Sequence, residues 1–471
     1  MNAPSTGGKP KSKSLPDRVK SSYPAGKIWN IRNVIYIFII LVSVVSFWIN
    51  GVQRAYIGRD FMSWYVMGQF WLEGRLPYGD PEYIQRIDAV SPDFEREADF
   101  STDVFYPPIS LSVYSLLARL PVETAHSIFS VFQLVFVVGG LFLLGILLNR
   151  YHPVGMAEIA LLATFLNTGF ARAGMRISQV SLFMLVFMVG AYLLDEYQKP
   201  ILAGLSLAAM IFKYAFMPMF ALHFVIKKRV RLILTTVLSV VLLVILPLAI
   251  VGAPIFSSLN QWFMVVISKT SAGVNDPSPD APYSAFLQNL QPLVFRVVNS
   301  DAPWAYTISY GLILMVVILV FGLIIKSPVK ENNLLDFALV SNLTLLVVYH
   351  RLYDVFLLFP GILVLYLCGV KTQNKVQKTF FLISVIGIIL VQTMPGSLIQ
   401  NLAYNNPDLA GNYIFRLVAP FQAWSGVYLI LILLSLKYLE VRETSSATSS
   451  GGKSFAYVAR KGDEYEQPIR A

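Results

Sequence analysis

Residues 33–53 read NVIYIFIILVSVVSFWINGVQ, twenty-one positions without a charge. At 1.5 Å per residue this run is about 32 Å long as a helix, the depth of one bilayer core. No small-residue cleavage site follows it, so it reads as a membrane helix over about 30–51 rather than a signal peptide. Further apolar stretches lie near 107–119, 122–148, 154–170, 177–195, 200–226, 231–252, 304–326, 335–349, 352–370, 379–398 and 415–437. The expectation is an all-α polytopic membrane protein with about twelve spans. The stretch 200–226 carries Lys213 in its middle and reads as one tilted helix or as a re-entrant pair bent there.

Composition agrees. Hydrophobic residues make up 56% of the 471 and charged residues 14%, against roughly 25% charged in a soluble domain. Mean hydropathy is +0.61. This excludes an ordinary soluble enzyme and a disordered chain. With the single cysteine, Cys368, no intrachain disulfide or zinc cluster forms. The net charge is +10, but the positive residues gather in tails and short loops. They set membrane orientation and leave no basic domain for nucleic acid.

Lys and Arg in short loops mark the cytoplasmic side. The tail carries Lys9, Lys11, Lys13, Arg18, Lys20 and Lys27; KKRVR occupies 227–231; Lys326 and Lys330, then Lys371, Lys375 and Lys378, then Lys437 and Arg442 follow. Placing all of these inside puts both termini in the cytoplasm and loops 52–106, 253–303 and 399–414 outside. Residues 1–29 read as a disordered tail, 30–440 as the membrane domain, and 441–471 as a second disordered tail.

The loop 52–106 is too long for a simple connector. Within it Phe61, Trp64, Tyr65, Gly68, Trp71 and Leu72 fall on one helical face. The expectation is an interfacial helix in the headgroup plane. Asp60 directly precedes it. It reads as an N-cap or as a general base at the membrane surface, and the two are compatible. Asp99 and Asp103 are rival carboxylates in the same loop. Phe105-Tyr106-Pro107-Pro108 then opens the next span, where proline is tolerated at a helix start.

The second constellation is Tyr349-His350-Arg351-Leu352-Tyr353-Asp354, which interrupts nearly continuous apolar sequence. Ionisable groups at such depth are functional candidates; in a short outer loop they would meet water at little cost. Arg172 and Arg176, four apart, share a helix face and can hold a phosphate, or they mark a cytoplasmic loop. Lys213, between Phe212 and Tyr214, must pair, snorkel or line a cavity. There is no Asp-x-Asp pair, no phosphate-cradling Gly-rich loop with Lys, and no His-x-x-x-His metal pair. No metal or cofactor is expected.

The order of these motifs is familiar. Gly-Arg-Asp-Phe at 58–61 follows a span, with Tyr65 five positions after the Asp. Then come Gly-Arg-Leu-Pro-Tyr at 74–78, Phe-Tyr-Pro-Pro at 105–108 and Ala118-Arg119-Leu120-Pro121. Ser178-Gln179-Val180-Ser181, Ala203-Gly204-Leu205 running to Lys213, and Tyr349-His350 complete the series. Over about 55–370 it resembles glycosyltransferase family 87, mannosyltransferase-like enzymes of the GT-C superfamily. The resemblance implies a GT-C-type fold and transfer of a hexosyl unit, mannosyl above all, from a polyprenyl-phosphate sugar to a lipid-linked or extracytoplasmic acceptor. It implies a plasma-membrane enzyme with its site on the outer face. Asp60 would be the base, and His350, Arg351, Tyr106, Lys213 and Gln179 would contact substrate. Members often carry Gly-Gln-x-Asn at 178–181 and Lys-Pro at 213–214, so this chain departs at both. The alternatives are a transporter or flippase for a lipid-linked saccharide or other solute, and a family member that serves as a scaffold without activity.

Overall fold

In a computed structural model, the structure describes residues 31–90, 106–269, 276–279, 281, 284–327, 333–395 and 412–450, with 398, 402, 405 and 406 besides. All regular structure among them is helical. Helix α1 (Ile31–Phe47) runs on through a π turn, Trp48–Val52. Helices α2 (Arg59–Leu72), α3 (Pro81–Val90) and α4 (Pro108–Ser115) form a cap where it finishes. From that end α5 (Val122–Tyr151) crosses to the other. Helix α6 (Met156–Thr164), a 3-10 turn at Phe165–Asn167 and α7 (Gly169–Arg176) return. Helix α8 (Ser181–Glu196) then goes back.

Next comes the first broken segment: α9 (Pro200–Ala209), a 3-10 stretch Met210–Phe216, and α10 (Met217–Ile226). Helices α11 (Val230–Ile250), α12 (Ile255–Lys269), α13 (Leu290–Val298) and α14 (Pro303–Lys326) follow. The second broken segment is α15 (Leu334–Val347), the 3-10 stretch Leu352–Leu358 and α16 (Phe359–Lys371). The chain closes with α17 (Lys375–Thr393), α18 (Tyr413–Val418) and α19 (Phe421–Ser450).

By length and composition eight of the described helical segments could cross a membrane, two of them, Pro200–Ile226 and Leu352–Lys371, lying in the broken segments; Met156–Asn167, Ile255–Ile267 and Leu334–Val347 are shorter apolar ones. The roughly twelve apolar stretches of the sequence therefore do not all map onto full-length spans. The stretch 200–226 is the bent pair rather than one tilted helix. Lys213 has φ −134° and ψ 73°, which breaks the helix there. Both ends of the pair return to one side: Arg229 Nε lies 3.2 Å from Asp195 Oδ2, just ahead of α9. Gly204 in α9 backs directly onto α11, where an added Cβ would meet the Leu232 carbonyl at 2.6 Å. Each ten-residue arm is about 15 Å long, so the bend sits about halfway through a bilayer core.

The two ends of the body differ. At one end, which we call the paired end, Arg150 Nε lies 3.1 Å from Glu196 and Lys227 Nζ 2.7 Å from Asp336. Lys437, fully buried in α19, sits 2.7 Å from Asp336 and 2.8 Å from Glu440. Tyr36 at the start of α1 is near Tyr366 and Glu158 at this same end. The start of α1 and Lys437 of α19 thus lie at the same end of the body. The opposite end carries the cap. Helices α1, α5, α11 and α14 expose rows of Val, Ile, Leu and Phe on their outer faces, as lipid-facing helices do. Residues far apart in sequence pack inside: Phe165 stacks on Phe359 at 3.9 Å and Tyr192 on Phe337 at 4.3 Å.

The helix expected after Asp60 is present, but it is not half-wet. Phe61, Met62, Ser63, Trp64, Tyr65, Val66, Met67 and Phe70 are all buried, beneath α3, α4 and α5. Gly68 lets α4 approach so closely that an added Cβ would meet the Tyr114 carbonyl at 2.5 Å. The tail expected to begin at 441 is helical as far as Ser450, a continuation of α19; helix propagates readily from an established apolar stem. Asp99, Asp103 and Phe105 lie outside the described residues, as do residues 1–29 and 451–471.

Candidate active site

The two broken segments meet at Lys213 and Asp354. Lys213 Nζ lies 2.5 Å from Asp354 Oδ1 and 2.7 Å from Ser181 Oγ, which itself donates to Asp354 Oδ1 at 2.6 Å. The other carboxylate oxygen accepts the Arg351 amide at 3.1 Å and faces His350 Nδ1 at 3.2 Å. Asp354 is 1% exposed and Lys213 19% on their side chains. Lys213 is thus the member of the pair that reaches open space. Its ammonium also lies over the rings of Tyr353, at 4.4 Å, and Phe216, at 5.1 Å. Charge so deep is tolerated only with such partners.

His350 and Arg351, adjacent in sequence, have separate surroundings. His350 is fully buried, its ring stacked on Phe216 at 4.8 Å, and its carbonyl accepts the Gln288 amide at 2.8 Å. It faces Asp354 rather than open space. Arg351 is half-buried and donates from Nε to the Tyr349 hydroxyl.

Asp60 stands in the first turn of α2 but does not cap it. The N-cap is Gly58, whose carbonyl accepts the Met62 amide at 3.0 Å. Asp60 Oδ2 instead accepts a hydrogen bond from Gln179 Nε2. Gln179 is held from behind: its carbonyl accepts Gln133 Nε2 at 3.1 Å, from a fully buried side chain of α5. The preceding residue, Ser178, has φ +60°. It occupies the left-handed region that glycine enters freely, and its Oγ lies 3.0 Å from His126 Nε2.

Asp60 is close enough for its charge to act on Lys213, Arg351, Tyr106, Tyr349 and Tyr353. Burial pushes the Tyr106 hydroxyl well above its usual pKa, and Asp60 adds to the shift. The Tyr106 carbonyl accepts the Tyr78 hydroxyl at 2.9 Å, which ties the Gly-Arg-Leu-Pro-Tyr turn to the mouth of α4. Asp60, Gln179, Lys213, Arg351 and Tyr106 therefore share one region at the capped end. Ser181 and Asp354, visible in the sequence only as members of their motifs, belong to it as well, as do Gln133 and His126, to which the sequence assigned no role. Arg172 and Arg176 lie at this same end, on α7, so they do not mark a loop of the paired end.

The fold and its site define a helical integral membrane protein whose ionisable groups gather around two carboxylates, Asp60 and Asp354, beneath a cap. Comparison of the sequence with protein families supplies the class. The family described as glycosyltransferase family 87 matches residues 105–349, more than half of the chain, and the chain belongs to that family. It is a membrane glycosyltransferase. The matched stretch contains Tyr106, Gln179 and Lys213 and stops one residue before His350; Asp60 precedes it. Neither the curated proteins nor the solved structures compared with the chain gave a match.

Proposed function

We propose that the protein transfers a hexosyl unit, mannosyl in the first instance, from a polyprenyl-phosphate sugar to a lipid-linked or extracytoplasmic acceptor. The observation that carries this is the position of Asp60, oriented by Gln179 and within electrostatic reach of Lys213 and Arg351. An acceptor hydroxyl attacks the anomeric carbon and gives its proton to Asp60. The new C–O bond forms as the bond from the anomeric carbon to the phosphate oxygen breaks. The electron pair leaves with the polyprenyl phosphate, whose growing charge Lys213 and Arg351 stabilise. Tyr106 and Gln179 line the same space. His350 acts through Asp354.

The distribution of Lys and Arg supports a plasma-membrane orientation with the capped end outward and the tails 1–29 and 441–471 in the cytoplasm, flanking a membrane domain of 30–440. Nucleotide sugars are cytoplasmic, so an outward site calls for a lipid-borne donor. Asp60→Asn tests the reading. It removes a base worth about 10²- to 10⁴-fold in rate and no cap, because Gly58 is the cap. Transfer from a radiolabelled polyprenyl-phosphate mannose should fall by that factor while the protein stays folded. Full activity in the variant, or direct use of a nucleotide sugar by the purified enzyme, would sink it.

A further inference from the structure

Asp60 has two sets of cations in its neighbourhood, and only one of them is needed for the donor. Lys213 and Arg351 are the first set. The second is on α7, wedged between the π turn after α1 and the 3-10 stretch of the second broken segment. Its fit is close: a Cβ on Gly51 would lie 3.6 Å from Arg172 Cα, and one on Gly169 would meet the Leu352 carbonyl at 2.9 Å. Arg176, in the last turn of α7, lies over the Tyr56 ring at 5.9 Å, and its carbonyl accepts the Tyr56 amide at 3.2 Å. Tyr56 is also within reach of the Asp60 charge. Tyr56 thus feels the charges of both Arg176 and Asp60.

These arginines differ from the cations of the paired end. There, Arg150, Lys227, Arg229 and Lys437 each sit on a carboxylate. Among the described residues, neither Arg172 nor Arg176 has a carboxylate within ion-pair distance. Arg172 is half-buried and donates from Nη2 to the Thr393 carbonyl at the end of α17. Arg176 is exposed. Two guanidinium groups one helical turn apart present a fork that suits phosphate oxygens. Beside them Trp48 is 50% and Ile49 44% exposed. Tryptophan on an outer helix face is typical of the headgroup level of a bilayer.

We propose that Arg172 and Arg176 bind the phosphate of an anionic membrane lipid, which presents its acceptor hydroxyl to Asp60. The acceptor role rests on the function proposed above; the phosphate site does not. Its lipid tails lie along the exposed apolar face of α1, and its headgroup reaches past Tyr56. The reaction then joins two anionic lipids, with the donor phosphate at Lys213 and Arg351 and the acceptor phosphate at Arg172 and Arg176.

Binding, read without turnover, tests this. The full-length protein in neutral detergent is titrated with phosphatidylglycerol, with phosphatidylcholine and with inorganic phosphate, and the bound species are counted by native mass spectrometry. Wild type should hold one phosphatidylglycerol in preference to phosphatidylcholine. Arg176→Gln, at an exposed position, should weaken that binding about 10- to 100-fold, the range of a lost charge-assisted hydrogen bond. Arg172→Lys, which retains a donor for Thr393, should weaken it in the same direction. Lys213→Met and Asp60→Asn should leave it unchanged. The proposal is overturned if Arg176→Gln binds like wild type, if phosphatidylcholine binds as well, or if Lys213→Met is the variant that loses the lipid. Displacement of the lipid by inorganic phosphate at equal concentration would overturn its assignment to a membrane lipid. An active Asp60→Asn enzyme would end the proposed base mechanism and leave this binding result standing.

Discussion

Removing both members of the Lys213–Asp354 pair should cost less than the two single losses added together. Breaking a buried ion pair from one side costs about 3–5 kcal/mol, because the other charge stays behind in a poor solvent. The structure makes the two halves unequal. In Lys213→Met the Asp354 carboxylate keeps the Ser181 hydroxyl, the Arg351 amide and the His350 ring. In Asp354→Asn the Lys213 ammonium loses its adjacent negative charge and keeps neutral partners, the amide oxygen, the Ser181 hydroxyl and two ring faces, besides the more distant charge of Asp60, and a ring face is worth about 0.5–2 kcal/mol. We expect Asp354→Asn to lose about 3 kcal/mol, Lys213→Met about 1–2 kcal/mol less than that, and the double variant to fall short of their sum by about 2 kcal/mol. Reversible unfolding in mixed detergent micelles gives the three values and closes the cycle. Transfer should be lost in Lys213→Met and not restored in the double variant, since the cation is missing from both. Equal and additive single losses would refute the argument that the carboxylate holds the lysine.

Two further substitutions probe the frame around Asp60. Gly68→Ala places a Cβ 2.5 Å from the Tyr114 carbonyl, against backbone that cannot swing aside, so α2 and α4 should separate at a cost of about 1–3 kcal/mol; an unchanged melting temperature would contradict that packing. At position 178 the order of stability should be Gly equal to or above Ser, and Ser above Ala. Glycine relieves a left-handed backbone worth about 1 kcal/mol while giving up the His126 hydrogen bond, whereas alanine keeps the strain and loses the bond; thermal unfolding of the three proteins ranks them.

Much of this site was legible because a charge inside an apolar stretch is conspicuous. Lys213 stood out for that reason, and the bend at Lys213 was among the readings that its presence allowed. Its partner was not legible. Asp354 lies 141 residues further on, and such pairing leaves no periodicity behind. The cluster 349–354 was visible as a unit, but burial sorts its members: His350 faces inward and Arg351 is half-open. The α2 helix illustrates a signal that was present and read too narrowly. Met62, Val66, Met67 and Phe70 make its second face apolar as well, and a helix apolar all round is a buried one. The cap reading of Asp60 failed by two residues, since Gly58 already ends the extended loop. Gln133 and His126 were hidden in the longest apolar helix, where one amide and one imidazole do not disturb the pattern.

The asymmetry between the two ends bears on the transporter alternative. Alternating access requires that a central site open to each side in turn. Here the paired end ties α5 to α8, α8 to the start of α11, and α10 and α19 to α15, each through a carboxylate that is buried or nearly so. Opening that end would strand several charges in hydrocarbon at once, at about 3–5 kcal/mol for each broken pair. The capped end has no such belt across its helices among the described residues; its surface ion pairs, Arg75 and Arg86 with Glu73, Asp80 and Glu82, join α2 to α3 within the cap itself. Both broken segments, moreover, belong to hairpins whose outer ends lie at the paired end, so their bends are presented to the capped end alone. A body locked on one side, with Asp60, Lys213 and Arg351 gathered towards the other, suits chemistry carried out on lipids that arrive laterally. It does not suit a carrier that must release its cargo across the membrane.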